Sequence, residues 1–279
     1  VRSPRFAMDR AVLDTFSATA ALNGLPGLQS ATLQAKAALR GQPLSLNLRT
    51  RGGTDSLQVE EGVVQLPGTR LQANGHVTLD VPRFDGTLDL NSADLRPLGQ
   101  ALDLALAGKM GVRADLVGDK NRHTLRFEGR GEDLDLLGTR IGTISLKGFT
   151  AIPGPMRDTD VHLEFGKVFH PPLRADLMGV HLRGDDQGLS FQADARDDAS
   201  KTQIRSGGQL KLDPLRLLVN SLNGQLLGQD LRLASPLDLR ISAPETSWSE
   251  FVLHLGPARF TSQGSMTPGG TDIRADARG

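Results

Sequence analysis

The sequence predicts an all-β protein: a long, mostly antiparallel sheet rolled into an elongated trough with an apolar interior. Three observations predict it. Apolar and polar residues alternate with a period of two along the chain, which puts every second side chain on one face of an extended strand. Turns rich in Gly, Pro, Asn and Asp separate the alternating runs, and such short connections join antiparallel neighbours, because parallel ones need a crossover of a dozen or more residues. Roughly 15 to 18 strand candidates recur at the spacing of all-β chains, while helical patterns are scarce.

Taken in order, residues 1–22 are the exception. Within Met8 to Leu22, Val12, Phe16 and Ala20 recur at helical spacing, so 1–22 is expected to be helical or poorly ordered. Strand alternation then begins with Leu44, Leu46 and Leu48 on one face against Ser45, Asn47 and Arg49 on the other. It continues through Val77, Leu79 and Val81; Leu88 and Leu90; and Leu125 and Phe127. Further along come Val161, Leu163 and Phe165; Leu189 and Phe191; Leu210 and Leu212; and Leu237, Leu239 and Ile241. A short helix is expected between Asp94 and Leu102, with Pro97 early in it. Turns are expected at Pro67-Gly68, Asn74-Gly75, Gly129-Arg130-Gly131, Pro153-Gly154, Asp185 to Gly188, Gly207-Gly208, Asn223-Gly224 and Pro268-Gly269-Gly270. No linker divides the chain, so residues 1–279 read as one continuous region. The chain opens at Val1 and ends at Gly279 within strand pattern, and is expected to be a section of a longer protein.

Composition narrows the function. The 279 residues carry 32 Lys+Arg and 32 Asp+Glu, a formal net charge of +0 with no basic block, which argues against a nucleic-acid partner and against docking on an anionic membrane surface. Cys 0 removes disulfides, thiolate nucleophiles and thiolate metal sites. No apolar run approaches the roughly 20 residues a membrane-spanning helix needs. There is no GxSxG elbow, no GxxxxGK[ST] loop and no GxGxxG placed after a strand, so no catalytic residues and no enzyme activity are expected. The acidic pairs Glu60-Glu61, Asp185-Asp186 and Asp197-Asp198 read as solvated turn residues. Among the six histidines, His162, His181 and His254 alternate with apolar neighbours and so belong to the polar face. None forms an HxxxH or HExxH spacing, so no metal site and no cofactor are expected.

The apolar face is mostly Leu, with Val, Ile, Ala and a few Phe, beside one Trp and no Tyr. Such a face offers area and dispersion contacts but few directional polar groups. It suits hydrocarbon of variable identity, and the candidate lining residues are the alternating Leu, Val, Ile and Phe positions named above. Three geometries would use it: a β-sandwich that buries the face against itself, as in a structural or adhesive module; a rolled trough; and a parallel β-helix of a carbohydrate-active enzyme. The low aromatic content and irregular turn spacing oppose the third. Sheets beyond about ten strands curl or split, which favours the second.

Two runs carry a family resemblance: Leu71-Gln72-Ala73-Asn74-Gly75-His76-Val77-Thr78-Leu79-Asp80 and Gly86-Thr87-Leu88-Asp89-Leu90-Asn91-Ser92-Ala93-Asp94-Leu95-Arg96-Pro97-Leu98-Gly99. From about Leu22 onward the chain resembles the repeating middle of the TamB family, part of the larger AsmA-like group of periplasmic bridge-type proteins. The resemblance implies a β-taco with a hydrophobic groove, located in the periplasm and anchored in the inner membrane by the full-length protein. It further implies phospholipid or other apolar cargo moving between the inner and outer membranes, and support of outer-membrane protein assembly. A TamA-like outer-membrane barrel is the implied partner, reached through parts of the full-length chain beyond this sequence. The family supplies no catalytic residues.

Overall fold

The computed structural model describes residues 2–8, 11–24, 29–53, 55–78, 83–118, 123–152, 158–171, 173–185, 188–212, 214–242 and 245–279. Two compact units divide the chain, Val1–Pro153 and Gly154–Gly279. The first holds β1 (Arg2–Met8), β2 (Ala11–Asn23), β3 (Ser30–Leu39), β4 (Gln42–Gly52), β5 (Ser56–Leu66), β6 (Thr69–Thr78), β7 (Arg83–Ser92), α1 (Arg96–Leu102), β8 (Leu106–Gly118), β9 (His123–Leu136) and β10 (Thr139–Ile152). Each strand pairs antiparallel with the next, from β1 through β10.

The second unit holds β11 (Asp160–His170), β12 (Leu173–Asp185), β13 (Gly188–Asp197), β14 (Thr202–Leu212), β15 (Leu215–Leu226), β16 (Gln229–Ser235), β17 (Leu237–Ile241), β18 (Thr246–Leu255), β19 (Ala258–Thr267) and β20 (Gly270–Arg278). It too is an antiparallel meander. β16 and β17 lie end to end between β15 and β18, both of which pair with each of them. Pro236 falls at the break, where the missing N–H would interrupt a ladder.

The chain is therefore all-β, as its alternation predicts, with the expected short helix present as α1. Residues 8–22 do not form the expected helix: Ala11–Asn23 is strand β2. Ala18, Ala20 and Leu22 stand opposite Ala35, Leu33 and Ala31 of β3, so pairing that extends an apolar row overrides a weak helical spacing.

Turn chemistry holds in part. Pro67-Gly68 closes a two-residue hairpin with Gly68 at φ 70, and residues 268–269 link Thr267 to Gly270. Three other hairpins turn on Arg40-Gly41, Leu137-Gly138 and Leu227-Gly228, each with both central residues at positive φ, the geometry that matches the twist of the flanking strands. Asn74-Gly75, Gly129-Arg130-Gly131, Gly207-Gly208 and Asn223-Gly224 are not turns but lie inside β6, β9, β14 and β15. Pro153-Gly154, and Asp186-Gln187 between β12 and β13, fall outside the described residues. The Glu60-Glu61 pair is no turn either; it sits at the register shift between Val59 and Gly62 in β5, and Glu60 meets Arg51 at 3.1 Å. Asp197, expected to be solvated, is buried at the end of β13.

The strand glycines make room for their neighbours. A Cβ on Gly129 would lie 2.9 Å from the carbonyl oxygen of Gly111, 3.0 Å from Val112 Cγ2 and 3.1 Å from Leu146 Cδ2. One on Gly208 would collide with the Leu218 carbonyl and Phe191 Cε1, at the bulge where β14 shifts register against β15.

The two faces of each sheet differ. Outward rows carry charge, as in Asp89, Arg113, Glu128 and Lys147, which stand opposite one another in succession on β7 to β10. Alternating sign makes every neighbouring pair in that row attractive, at about 0.2–1 kcal/mol each. The period of two also creates ion pairs along single strands, such as Arg174–Asp176 at 3.2 Å and Arg278–Asp276 at 2.9 Å. In β15–β17, Arg216 faces Arg240 directly, and Asp238 relieves the repulsion by accepting from Arg216 Nε at 2.7 Å and Nη2 at 2.6 Å.

The inward rows are half-buried while the outward ones are mostly exposed. A flat single-layer sheet would expose both faces alike, so the sheet in each unit curls around its apolar face. Only nine apolar residues among the described residues are buried.

Two outcomes follow. Gly129→Val should destabilise the first unit by about 1–3 kcal/mol through overpacking, read as a lower urea midpoint. The guanidinium of Arg216 holds the Asp238 carboxyl below the usual carboxylate range, so Asp238→Asn should cost about 1 kcal/mol at neutral pH for this partly exposed pair. That difference from the wild type should persist above the unfolded-state value near 3.9 and vanish as pH falls through the lower folded-state value. Denaturation curves at pH 7 and pH 2.5 would check it.

Candidate functional site

The candidate site is the apolar face, and strand register builds it. Residues directly opposite in an antiparallel pair share a face, so successive pairings trace continuous rows. One row in the first unit runs Ala35, Leu46, Val64, Leu71, Leu90, Val112, Gly129 and Leu146, one residue from each strand of β3 to β10. The row beside it runs Leu33, Leu48, Gly62, Ala73, Leu88, Ala114, Phe127 and Gly148. In it Leu48 faces Gly62, Leu88 faces Ala114 and Phe127 faces Gly148, so these three large side chains do not meet one another. That spacing is what a concave face requires, because side chains converge on the inside of a curve. Neither row contains a charged residue.

One end of this face is sealed. Leu66, Thr69 and Ser92 are buried there, with Leu95 and Ala101 from the α1 segment and Leu134 and Ile141 from β9 and β10. Thr69 Oγ1 and Ser92 Oγ bond each other at 2.8 Å, so the two buried hydroxyls need no water. The helix lies against β8 and reaches β4: Gln42 Nε2 donates to Gln100 Oε1 at 2.7 Å, and Arg40 pairs with Asp103 at 2.9 Å. In a flat sheet β4 and β8 would be about 19 Å apart, whereas a seven-residue helix is about 10 Å long. Curling brings the two strands within reach of α1, which closes that end as a lid.

The second unit repeats the design. Val161, Leu182, Phe191, Gly208, Val219 and Leu237 form one row. A second runs Leu189, Leu210, Leu217, Leu239, Trp248 and Gly264, and a third begins Phe165, Met178, Ala195 and Ile204. Trp248 Nε1 donates to Ser262 Oγ at 3.2 Å, which satisfies the indole N–H and leaves its ring to the face.

Of the predicted lining residues, Leu44, Leu46, Leu48, Val77, Leu88, Leu90, Leu125, Phe127, Val161, Leu163, Phe165, Phe191, Leu210, Leu237 and Leu239 are half-buried, and Leu189 is buried. Ile241 is exposed at the end of β17. Leu79 and Val81 lie outside the described residues, as does the side chain of Leu212 in β14. Sequence reasoning missed Val64, Leu71, Val112 and Leu146 in the first unit and Val180, Leu182, Leu217 and Val219 in the second. Val112-Arg113-Ala114-Asp115-Leu116 carries a legible alternation, whereas Val63-Val64 and Leu217-Leu218-Val219 hide it in consecutive apolar residues. The histidine reading also changes. His162 and His181 are 19 positions apart, yet they stand directly opposite on β11 and β12.

Compared with known proteins, the chain matches no family model, no curated protein and no solved structure. Leu95→Ala, in the sealed end, should cost about 2–4 kcal/mol. Leu90→Ala, in the half-open row, should cost less than about half of that, because water already reaches the site. Equal urea-unfolding losses would contradict the division into a sealed end and an open face.

Proposed function

We propose that the chain shelters phospholipid acyl chains against its curled apolar faces, as a section of a TamB-like bridge protein in the periplasm that supports lipid transport and outer-membrane protein assembly. The observation that carries this reading is the set of unbroken Leu-rich rows, half-buried and without charge, that cross strand after strand. At about 4.8 Å between strands, a row over eight strands follows an arc of about 34 Å. Such a surface gains about 0.8 kcal/mol for each methylene it takes from water, so eight methylenes bring about 6 kcal/mol. Lacking directional polar groups, it accepts acyl chains of differing length and unsaturation alike. The resemblance of Leu71–Asp80 and Gly86–Gly99 to the TamB repeats supports the periplasmic setting, an inner-membrane anchor and a TamA-like barrel as partner elsewhere in the full-length protein.

The test is mass spectrometry of organic extracts from the purified chain. Wild-type protein should carry phospholipid, and Leu88→Asp or Leu163→Asp should each reduce it by more than half in variants whose far-UV circular dichroism is unchanged. Gln34→Asp, on the exposed face of β3, should retain it. Lipid-free wild-type protein, or equal lipid in all variants, would refute the proposal and favour a module without lipid cargo.

A further inference from the structure

We propose that Asp160, His162 and His181 form a binding site for one divalent transition-metal ion, on the face of the second unit opposite the apolar rows. The register of β11 and β12 makes the site: His162 and His181 are direct cross-strand partners, and Asp160 precedes His162 by two residues, on the same face. Their ligating atoms lie within 4.8 Å of one another. Asp160 Oδ1 stands 2.9 Å from His162 Nε2 and 3.1 Å from His181 Nε2. Neighbouring ligands around a tetrahedral ion with bonds of about 2.0–2.1 Å are about 3.3 Å apart, so two edges of the ligand triangle are already close to the length an ion requires. The imidazoles stack with centroids 3.8 Å apart and planes inclined by 20°, so both Nε2 edges lie at the one carboxylate, and coordination requires the exposed His162 ring to turn out of the stack until the two lone pairs converge.

The donor set selects the ion. Two imidazoles and one carboxylate suit zinc, nickel or copper, whereas calcium and magnesium take oxygen ligands. The Asp160 carboxylate supplies the one negative ligand of the set. Arg183 Nε lies 3.6 Å from Asp160 Oδ2. Its side chain is 67% exposed, so it can swing into solvent as the ion enters. His162 is exposed, and His181 borders a cleft of about 450 Å³ with Arg183, Ser190, Gln192, Gln209 and Asn220. This open side leaves the fourth position to water. A bound ion would take the Nε2 lone pairs in place of the contacts these nitrogens make to Asp160.

Calorimetric titration of the chain with zinc chloride tests the site. One ion per chain is expected, with affinity falling more than about tenfold in His162→Gln and in His181→Gln, while His254→Gln binds as the wild type does. Absence of binding by the wild type up to millimolar zinc, or stoichiometric binding that survives the double variant His162→Gln/His181→Gln, would overturn the proposal. Imidazole ¹H–¹⁵N spectra of the intact chain need no variant to fold. Zinc should shift the nitrogens of two rings and leave the other four in place; six unshifted rings would overturn it equally.

Discussion

The structure depends on cross-strand register. In an antiparallel meander each pairing fixes which side chains share a face, and a slip of one residue would move a whole strand's leucines to the wrong side. Here the register keeps Leu46, Val64, Leu71, Leu90, Val112 and Leu146 in one line. The same register lines up Asp89, Arg113, Glu128 and Lys147 on the other face. A wrong register would lose apolar contacts within and charge pairing without, so the two faces enforce each other.

Curling is the second consequence. A single layer with one apolar face has no partner layer to cover it, and bending the face inward is the remaining way to reduce its exposure. Bending crowds the inner side chains, and Gly62, Gly129 and Gly208 relieve the crowding where a neighbour's leucine, valine or phenylalanine lies over the backbone. The curl stops short of closure except beneath α1, where small hydroxyls and a short helix complete a conventional core. Stability and exposure thus fall in different places: the sealed end supports the fold, and the half-open rows keep apolar surface within reach of solvent.

Much of this was legible in the residues. The all-β class, the short helix before Leu102 and which face most of the named leucines occupy follow from alternation and turn chemistry, because a period of two needs no knowledge of the partner strand. What escaped was non-local. Leu137-Gly138 and Leu227-Gly228 carry none of the usual Asn or Asp signal, yet they turn, because Leu can be held in the left-handed region where a hairpin demands it. Asn74-Gly75 and Asn223-Gly224 carry that signal and yet lie within strands β6 and β15, and at Gly224 a Cβ would collide with the Gln203 carbonyl. Ala18, Ala20 and Leu22 joined the sheet because β3 offered a matching apolar edge.

By itself, then, the chain determined that its residues alternate between two chemically distinct faces and that nearly all of it is strand, since both are properties of consecutive residues. Only the tertiary structure decided which strands lie side by side, where the apolar face is sealed and where it stays open, and that two histidines 19 positions apart share one carboxylate. Those outcomes depend on register and curvature, which arise between strands and leave no trace in the order of residues along any one of them.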